Sequence, residues 1–204
     1  MKPCALIFQV LLLLAGAQSA YGGDRAAGAA ANAPVLLQGR FDNREQVAQA
    51  AAKAGAENPP LPHVVVVIEP TQQAGWSLWR MHLEADAKNS LDATWAMQTR
   101  VEGDGSKALI PYYQLKPTAP PAADPFDAQT WLSLEACALR GEFGKSRIRA
   151  GADGMPCVVV ATGVGPRRIL LPVAIEREGD WLRFHLIYLG IDTRVDARRV
   201  VDTR

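Results

Sequence analysis

The run Trp76 to Ala85 reads WSLWRMHLEA. Side chains on a strand alternate between two faces. One face of this run carries Ser77, Trp79, Met81, Leu83 and Ala85; the other carries Trp76, Leu78, Arg80, His82 and Glu84. A period of two with bulky apolar groups on one side predicts a half-buried strand. On the other side a cation, an imidazole and a carboxylate stand in a row. Two readings fit that row. It is the solvated outer face of a strand whose opposite face is core, or it faces a lumen and binds something there.

The neighbouring sequence repeats the pattern. Pro59, Pro60 and Pro62 exclude helix, and His63 to Ile68 (HVVVVI) follows, stopped by Pro70. So β-branched a run is a strand buried on both faces, or one whose polar side is missing. Gln72 to Gly75 supplies the turn into Trp76. Asp92 to Glu102 alternates again, with Thr94, Ala96, Gln98 and Arg100 on one face and Trp95, Met97 and Val101 on the other. Gly103-Asp104-Gly105 is a hairpin turn. Lys107 to Leu115 is the next strand, with Pro111 marking an edge or a bulge.

The second half reads as short strands: Cys137 to Arg140, Gly141 to Gly144, Cys157 to Ala161, Arg168 to Arg177 and Trp181 to Leu189. Glu178-Gly179-Asp180 joins the last two as a hairpin, and Asp192 to Val201 adds a final strand. Gly163 to Pro166 reads as a turn. About eight or nine strands with turns every ~10 residues favour an antiparallel barrel or sandwich.

Two short helices break the pattern. Arg44 to Lys53 has high helix propensity, Asp42 or Asn43 is placed to cap it, and Val47, Ala50, Ala51 and Ala54 give a small apolar face. Asp127 is placed to cap a second helix through Trp131 and Leu134.

The chain has 204 residues. Residues 1–20 read as a cleaved export signal: a basic start, a mostly apolar run from Ala5 to Ala15, then small residues, with Ala17 and Ser19 both suitable for cleavage. The apolar run is short for a membrane span, which needs roughly 20 residues. Ala stands where a lipidated Cys would be, so no stable membrane anchor is expected. Residues 21–34 are rich in Ala and Gly and form a flexible lead. Residues 35–204 form a single domain, and the chain beyond the signal, about 185 residues, suffices for one sizeable core.

Lys plus Arg total 22 and Asp plus Glu total 21, so bulk charge gives no argument for nucleic acid. Cys4 lies in the signal, leaving Cys137 and Cys157 in an oxidising compartment. A bridge between them would close a loop of about 20 residues and stabilise by roughly 2–4 kcal/mol. The rival is one reactive thiol with a depressed pKa. Two Cys without clustered His point to no metal site. Nucleophile elbow, Walker loop and dinucleotide fingerprint are all missing, which argues against hydrolase, kinase and dehydrogenase chemistry.

Gly39-Arg40-Phe41-Asp42-Asn43-Arg44-Glu45-Gln46 resembles the opening signature of the CpcT/CpeT chromophore lyase family. Pro62-His63 with its valine-rich strand, Leu78 to Ala85 with Glu84 near its end, Met97 to Val101, Leu134 to Cys137, Cys157, and Leu189 to Asp192 are similar to later family segments, in order. The resemblance covers roughly residues 37–195. It implies a lipocalin-like (calycin) antiparallel β-barrel, often dimeric. It also implies an activity: attachment of a bilin, a linear tetrapyrrole, to a cysteine of an acceptor phycobiliprotein through a thioether. No redox cofactor or metal is required.

On that resemblance Glu84 is the candidate acid or bilin contact. Arg80 is the candidate propionate partner, since a guanidinium fork matches a carboxylate. His82, Gln98 and Arg100 are further ligand contacts. Gly39, Phe41, Asp42, Asn43 and Gln46 carry the family motif, with Asn43 and Gln46 read as capping or anchoring the first helix. Arg183 and His185 share a face and read as surface; His63 reads as structural. The alternative function is an exported lipocalin-like protein that binds an apolar carboxylated small molecule without turnover.

Overall fold

The computed structural model of the chain describes residues 35–53, 61–86, 89–114, 131–153, 158–161, 165–168, 171–188 and 191–201. Residues 1–34, expected as export signal and flexible lead, lie outside the described residues, as do Asp127, Cys157 and Gly163.

In chain order the elements are a 3-10 turn Val35–Leu37, β1 Gly39–Asp42, α1 Arg44–Lys53, β2 His63–Pro70, β3 Trp76–Asp86, β4 Asn89–Val101 and β5 Lys107–Gln114. Then come β6 Trp131–Ser133, a second 3-10 turn Glu135–Cys137, β7 Leu139–Phe143, β8 Arg147–Ala152, β9 Val158–Ala161 and β10 Gly165–Arg168. The chain continues through β11 Pro172–Glu178, β12 Trp181–Tyr188 and β13 Ile191–Val200. The protein is mainly β. Ten strands close into one antiparallel barrel in the order β1, β2, β3, β4, β5, β7, β8, β11, β12, β13, with β13 returning to β1. It is a lipocalin-like barrel, as the resemblance implies. Among the described residues β9 and β10 pair only with each other.

The expected second helix is replaced by other structure where the chain is described: Trp131–Ser133 is a strand on β5, and a 3-10 turn follows. The segment expected as a turn at Gly163 to Pro166 is strand from Gly165 onward. Pro111 is neither at a free edge nor in a bulge. Opposite β4, β5 pairs with β7 at Lys107 to Leu109 and with β6 at Tyr112 to Gln114. Pro111 falls in the gap between those partners, where its missing donor costs no ladder bond.

The core follows from alternation. Val64, Val66 and Ile68 of β2 are buried while Val65 and Val67 are half-buried, so this strand has one core face, and its other face carries two valines between His63 and Glu69. Trp79, Met81 and Leu83 of β3 join them inside, together with Trp95, Met97, Leu109, Leu139, Ile148, Ile175, Leu182, Phe184 and Val195. Their exposures run from 0% to 4%. A chamber large enough for water would give such side chains accessible surface; these have almost none. Each fully buried side chain of this kind stabilises by about 1.5–3 kcal/mol.

A second, smaller apolar cluster lies outside the barrel wall. Trp76, Leu78, Ala96 and Trp131 are buried there, with Tyr112 packed against them. The first four residues of β3 are therefore covered on both faces, and the outer face opens to solvent only from Arg80 onward. The one α-helix among the described residues has no buried residue and rests on the outside, where Gln46, Val47 and Ala50 are half-buried. No described helix is long and apolar enough to cross a membrane.

Gly141 of β7 has φ +150°, and a Cβ there would stand 2.2 Å from the Arg149 carbonyl oxygen. Backbone approaches backbone at that point, and only glycine permits it.

Candidate functional site

Arg80, His82 and Glu84 share the outer face of β3, open to water with side-chain exposures of 45%, 40% and 51%. The inward face of the same strand is occupied by Trp79, Met81 and Leu83. Of the two readings of the polar row, the structure has the outer one. The cause is size: tryptophan and methionine bury more apolar surface than the aliphatic stem of an arginine does.

The row is nonetheless organised. His63 of β2 lies opposite Glu84. Its Nε2 is 2.9 Å from Asp42 Oδ1 and its Nδ1 is 3.1 Å from Glu84 Oε2. The other oxygen of Glu84 is 3.2 Å from His82 Nε2, and His82 Nδ1 is 2.7 Å from Asp92 Oδ1. Carboxylate and imidazole thus alternate from Asp42 through His63, Glu84 and His82 to Asp92, crossing the first four strands.

Asp42, Glu84 and His82 shift accordingly. Burial pushes Asp42 up, but the hydrogen bond from His63 and the Arg44 backbone N–H outweigh it, leaving its pKa lowered. Glu84 is lowered by His63 first and His82 second. His82 is raised, chiefly by Asp92 and then by Glu84. A general base needs one ring nitrogen free for the proton it takes. Here both nitrogens of both imidazoles face carboxylate oxygens. The row is an electrostatic clamp across four strands, with no nitrogen left over for a substrate.

Gln98 and Arg100 do not join it. Gln98 pairs in register with Trp76, at the far end of β3 from Glu84. Eight residues of strand separate the two, about 26 Å. Gln98 accepts a hydrogen bond from the Tyr112 hydroxyl at 3.1 Å. Arg100 is held by both oxygens of Glu135, each at 2.8 Å. Arg80 is paired with Glu69 at 2.5 Å.

The motif residues work at the barrel seam. Asn43 is fully buried and precedes α1; its carbonyl accepts from Val47 N–H at 3.0 Å. Its side chain accepts from Val64 N–H at 2.7 Å and donates to the Pro62 carbonyl at 3.0 Å. Gln46 donates to the Arg194 carbonyl at 2.9 Å and accepts from Asp196 N–H at 3.0 Å. β1 is four residues long. Where it ends, these two amides continue its hydrogen bonding to β2 on one side and β13 on the other. Asp42 accepts from Arg44 N–H at 2.8 Å. Phe41 is buried inside beneath the guanidinium carbons of Arg177 and Arg199, at 5.1 and 5.7 Å from its ring centre. Gly39 has φ +136° and lies against Arg199, whose Nε would be 3.0 Å from a Cβ built there.

Cys137 is disulfide-bonded. This removes the reactive-thiol alternative for that residue.

A further site lies on the opposite side of the barrel. The outward faces of β7, β8, β11, β12 and β13 enclose a trough of about 690 Å³. Its floor is small: Gly151 pairs with Ala174, and Ala174 with His185. Arg140, Arg149, Arg183 and Arg194 line it, against the carboxylates Glu176 and Asp196. Some of the charge is internally paired. Glu176 is 2.7 Å from Arg147, which lowers its pKa, and Arg183 is 3.4 Å from Asp196. His185 is 2.6 Å from Asp192, and Arg140 is held by Glu102. Arg149 and Arg194 make no salt bridge or side-chain hydrogen bond among the described residues. A smaller niche of about 120 Å³ between α1 and the barrel adjoins the trough through Arg183 and Asp196.

Sequence reading paired Arg183 with His185 but gave them to plain surface. The usable signal was alternation with small residues: Arg149 two before Gly151, and Ala174 two before Glu176, on strands that closure makes neighbours. No family model matches the chain, and no curated protein matches it.

Proposed function

We propose that this chain is a barrel-scaffolded binding protein that takes an anionic small molecule, of carboxylate type, in the arginine-lined trough. The observation that carries this reading is the state of Arg149 and Arg194: two cations at one concave surface, neither of them in a salt bridge or side-chain hydrogen bond among the described residues. Unpaired guanidinium forks favour carboxylates, and a trough of about 690 Å³ is within the range of small-molecule sites. Among the described residues the core side chains have almost no accessible surface, whereas the trough on the outside of the barrel is open.

Bilin binding, implied by the resemblance to the chromophore lyases, is one case of this reading, since a bilin carries two propionates. Attachment would need an acid beside the tetrapyrrole, and Glu84 is not among the residues that line the trough.

One titration tests both. The purified full chain is mixed with phycocyanobilin, with and without an acceptor phycobiliprotein, and absorption is followed. Reversible binding with a shifted band, lost in the Arg149→Gln/Arg194→Gln double variant, supports the binding reading. A covalent adduct on the acceptor supports lyase activity. If neither phycocyanobilin nor a simple carboxylate binds, the proposal falls.

A further inference from the structure

β7 and β8 each carry one glycine, and the fold explains only the first. Gly141 admits no side chain, because the Arg149 carbonyl oxygen stands 2.2 Å from where its Cβ would be. Gly151 is different. Its backbone is outside the left-handed region, and a Cβ built on it meets the Val173 carbonyl oxygen at 3.6 Å and the Ala174 Cβ at 3.8 Å, ordinary contact distances. Alanine would fit there without strain. Glycine loses more backbone freedom on folding than any other residue, and inside a strand it often marks the close approach of a backbone or a ligand. Among the described residues no backbone stands closer to Gly151 than ordinary contact. The position lines the trough.

Strand register places the gap. One cross-strand row runs Arg140, Gly151, Ala174, His185, Arg194. Over Gly151 and Ala174 it presents only backbone and one methyl group. The row beside it runs Arg149, Glu176, Arg183, Asp196 and walls the hollow on that side. An anionic group on the floor would therefore meet Glu176, two residues from Ala174 on the same face. An uncharged body would not, and a flat aromatic one gains from the arrangement. An aromatic ring is electropositive at its rim and electronegative on its faces. Lying on Gly151 and Ala174, it turns its rim towards Glu176. Arg149 shares a face of β8 with Gly151 and makes no salt bridge among the described residues, so its planar guanidinium can stack on the ring. The anionic group then belongs at the β13 end of the row. At the β7 end Arg140 is already held by Glu102. At the β13 end Arg194 makes no salt bridge among the described residues, and the aspartates two residues either side of it are engaged: Asp192 by His185 at 2.6 Å and Asp196 by Arg183 at 3.4 Å.

Resting on the reading that the trough takes a carboxylate, we infer that its ligand class is an aromatic carboxylate, and that the missing side chain at Gly151 is what admits it. The ring system lies on Gly151 and Ala174 with Arg149 against it, and the carboxylate sits on Arg194.

Chemical-shift titration of the full chain with 2-naphthoate, cyclohexanecarboxylate and acetate tests this. The naphthoate is expected to bind at least about tenfold more tightly than either of the others. Arg194→Gln is expected to weaken all three, and Arg149→Gln the naphthoate alone, by about two- to fivefold. Gly151→Ala is expected to raise the melting temperature by about 1–4 °C while weakening the naphthoate. Gly151→Val fills the floor further and is expected to weaken it by about tenfold or more, with acetate unchanged. Naphthoate affinity no better than that of the other two overturns the inference, but leaves the carboxylate-binding trough standing if Arg194→Gln abolishes what binding there is. Undiminished naphthoate affinity in both Gly151 variants also overturns it. So does a lowered melting temperature in Gly151→Ala, which would assign the glycine to folding. No binding of any of the three overturns the inference, and the phycocyanobilin titration then decides the trough on its own.

Discussion

The side-chain amides of Asn43 and Gln46 meet at 3.3 Å, Nδ2 of the first donating to Oε1 of the second. Each also bonds one neighbouring strand as a backbone peptide would. Removing Asn43 leaves the Val64 N–H and the Pro62 carbonyl without partners in a buried place, so Asn43→Ala is expected to cost about 2–4 kcal/mol. Gln46→Ala, at a half-buried position, is expected to cost about 1–2 kcal/mol. The two share one seam, and their double variant should be less damaging than the separate losses imply. Urea unfolding of all three variants measures this.

The acid–imidazole row makes stability depend on pH at both ends. His82 is raised above its usual 6.5. Its contribution is therefore fully present below that value and disappears as pH rises through its raised pKa. Glu84 is lowered below its usual 4.5, so its contribution is present above that value and disappears as pH falls through its lowered pKa. Melting temperature should be best supported between about pH 4.5 and 6.5. His82→Gln should flatten the alkaline limb, and Glu84→Gln the acid one, in thermal melts across pH. Both changes should leave ligand binding in the trough untouched.

Arg177 is 1% exposed inside the barrel end. It donates to the Leu36 carbonyl at 2.9 Å and to the Trp181 carbonyl at 3.0 Å, and also to the Gly179 carbonyl. Burial and the neighbouring Arg199 lower its pKa. The carbonyl partners tie the 3-10 turn at Val35–Leu37 to the β11–β12 hairpin. Arg177→Met keeps the stem and removes the donors; the expected cost is about 2–4 kcal/mol. Limited proteolysis should then cut near residue 36 sooner than in the parent chain.

Gly141→Ala places a methyl group against the Arg149 carbonyl, with both strands fixed by their other neighbours. A loss of about 2–3 kcal/mol or more is expected, far beyond the ordinary glycine-to-alanine effect. Chemical denaturation reads it directly.

Much of the architecture was legible in local pattern. The alternation of Trp76 to Ala85, the turns at Gly75, Gly103 to Gly105 and Gly179, and the helix after Asn43 all follow from period and turn chemistry. Trp131 was misread because helix spacing to Leu134 looks the same whether the chain coils or extends, and pairing with β5 settled it. The direction of Arg80, His82 and Glu84 was not legible. Alternation separates two faces without saying which is inside, and a Trp–Met–Leu face has the larger claim on the core. The bonding of His63 to Glu84 required strand register, which no local signal fixes. The trough was hidden for the same reason. Its arginines come from strands distant in sequence, and only closure of the sheet brings them together.

That closure has a consequence for how the protein is made. Phe41 of β1 lies opposite Arg199 of β13, so the last joint of the ring joins one of the earliest strands to the final one. During synthesis the edge of β1 that pairs with β13 must wait, its hydrogen-bonding groups unmatched, until residues 191–200 have emerged. Contacts so distant in sequence form slowly. Folding should therefore be limited by the arrival of residues 191–200, and truncation before them should yield an open, self-associating sheet.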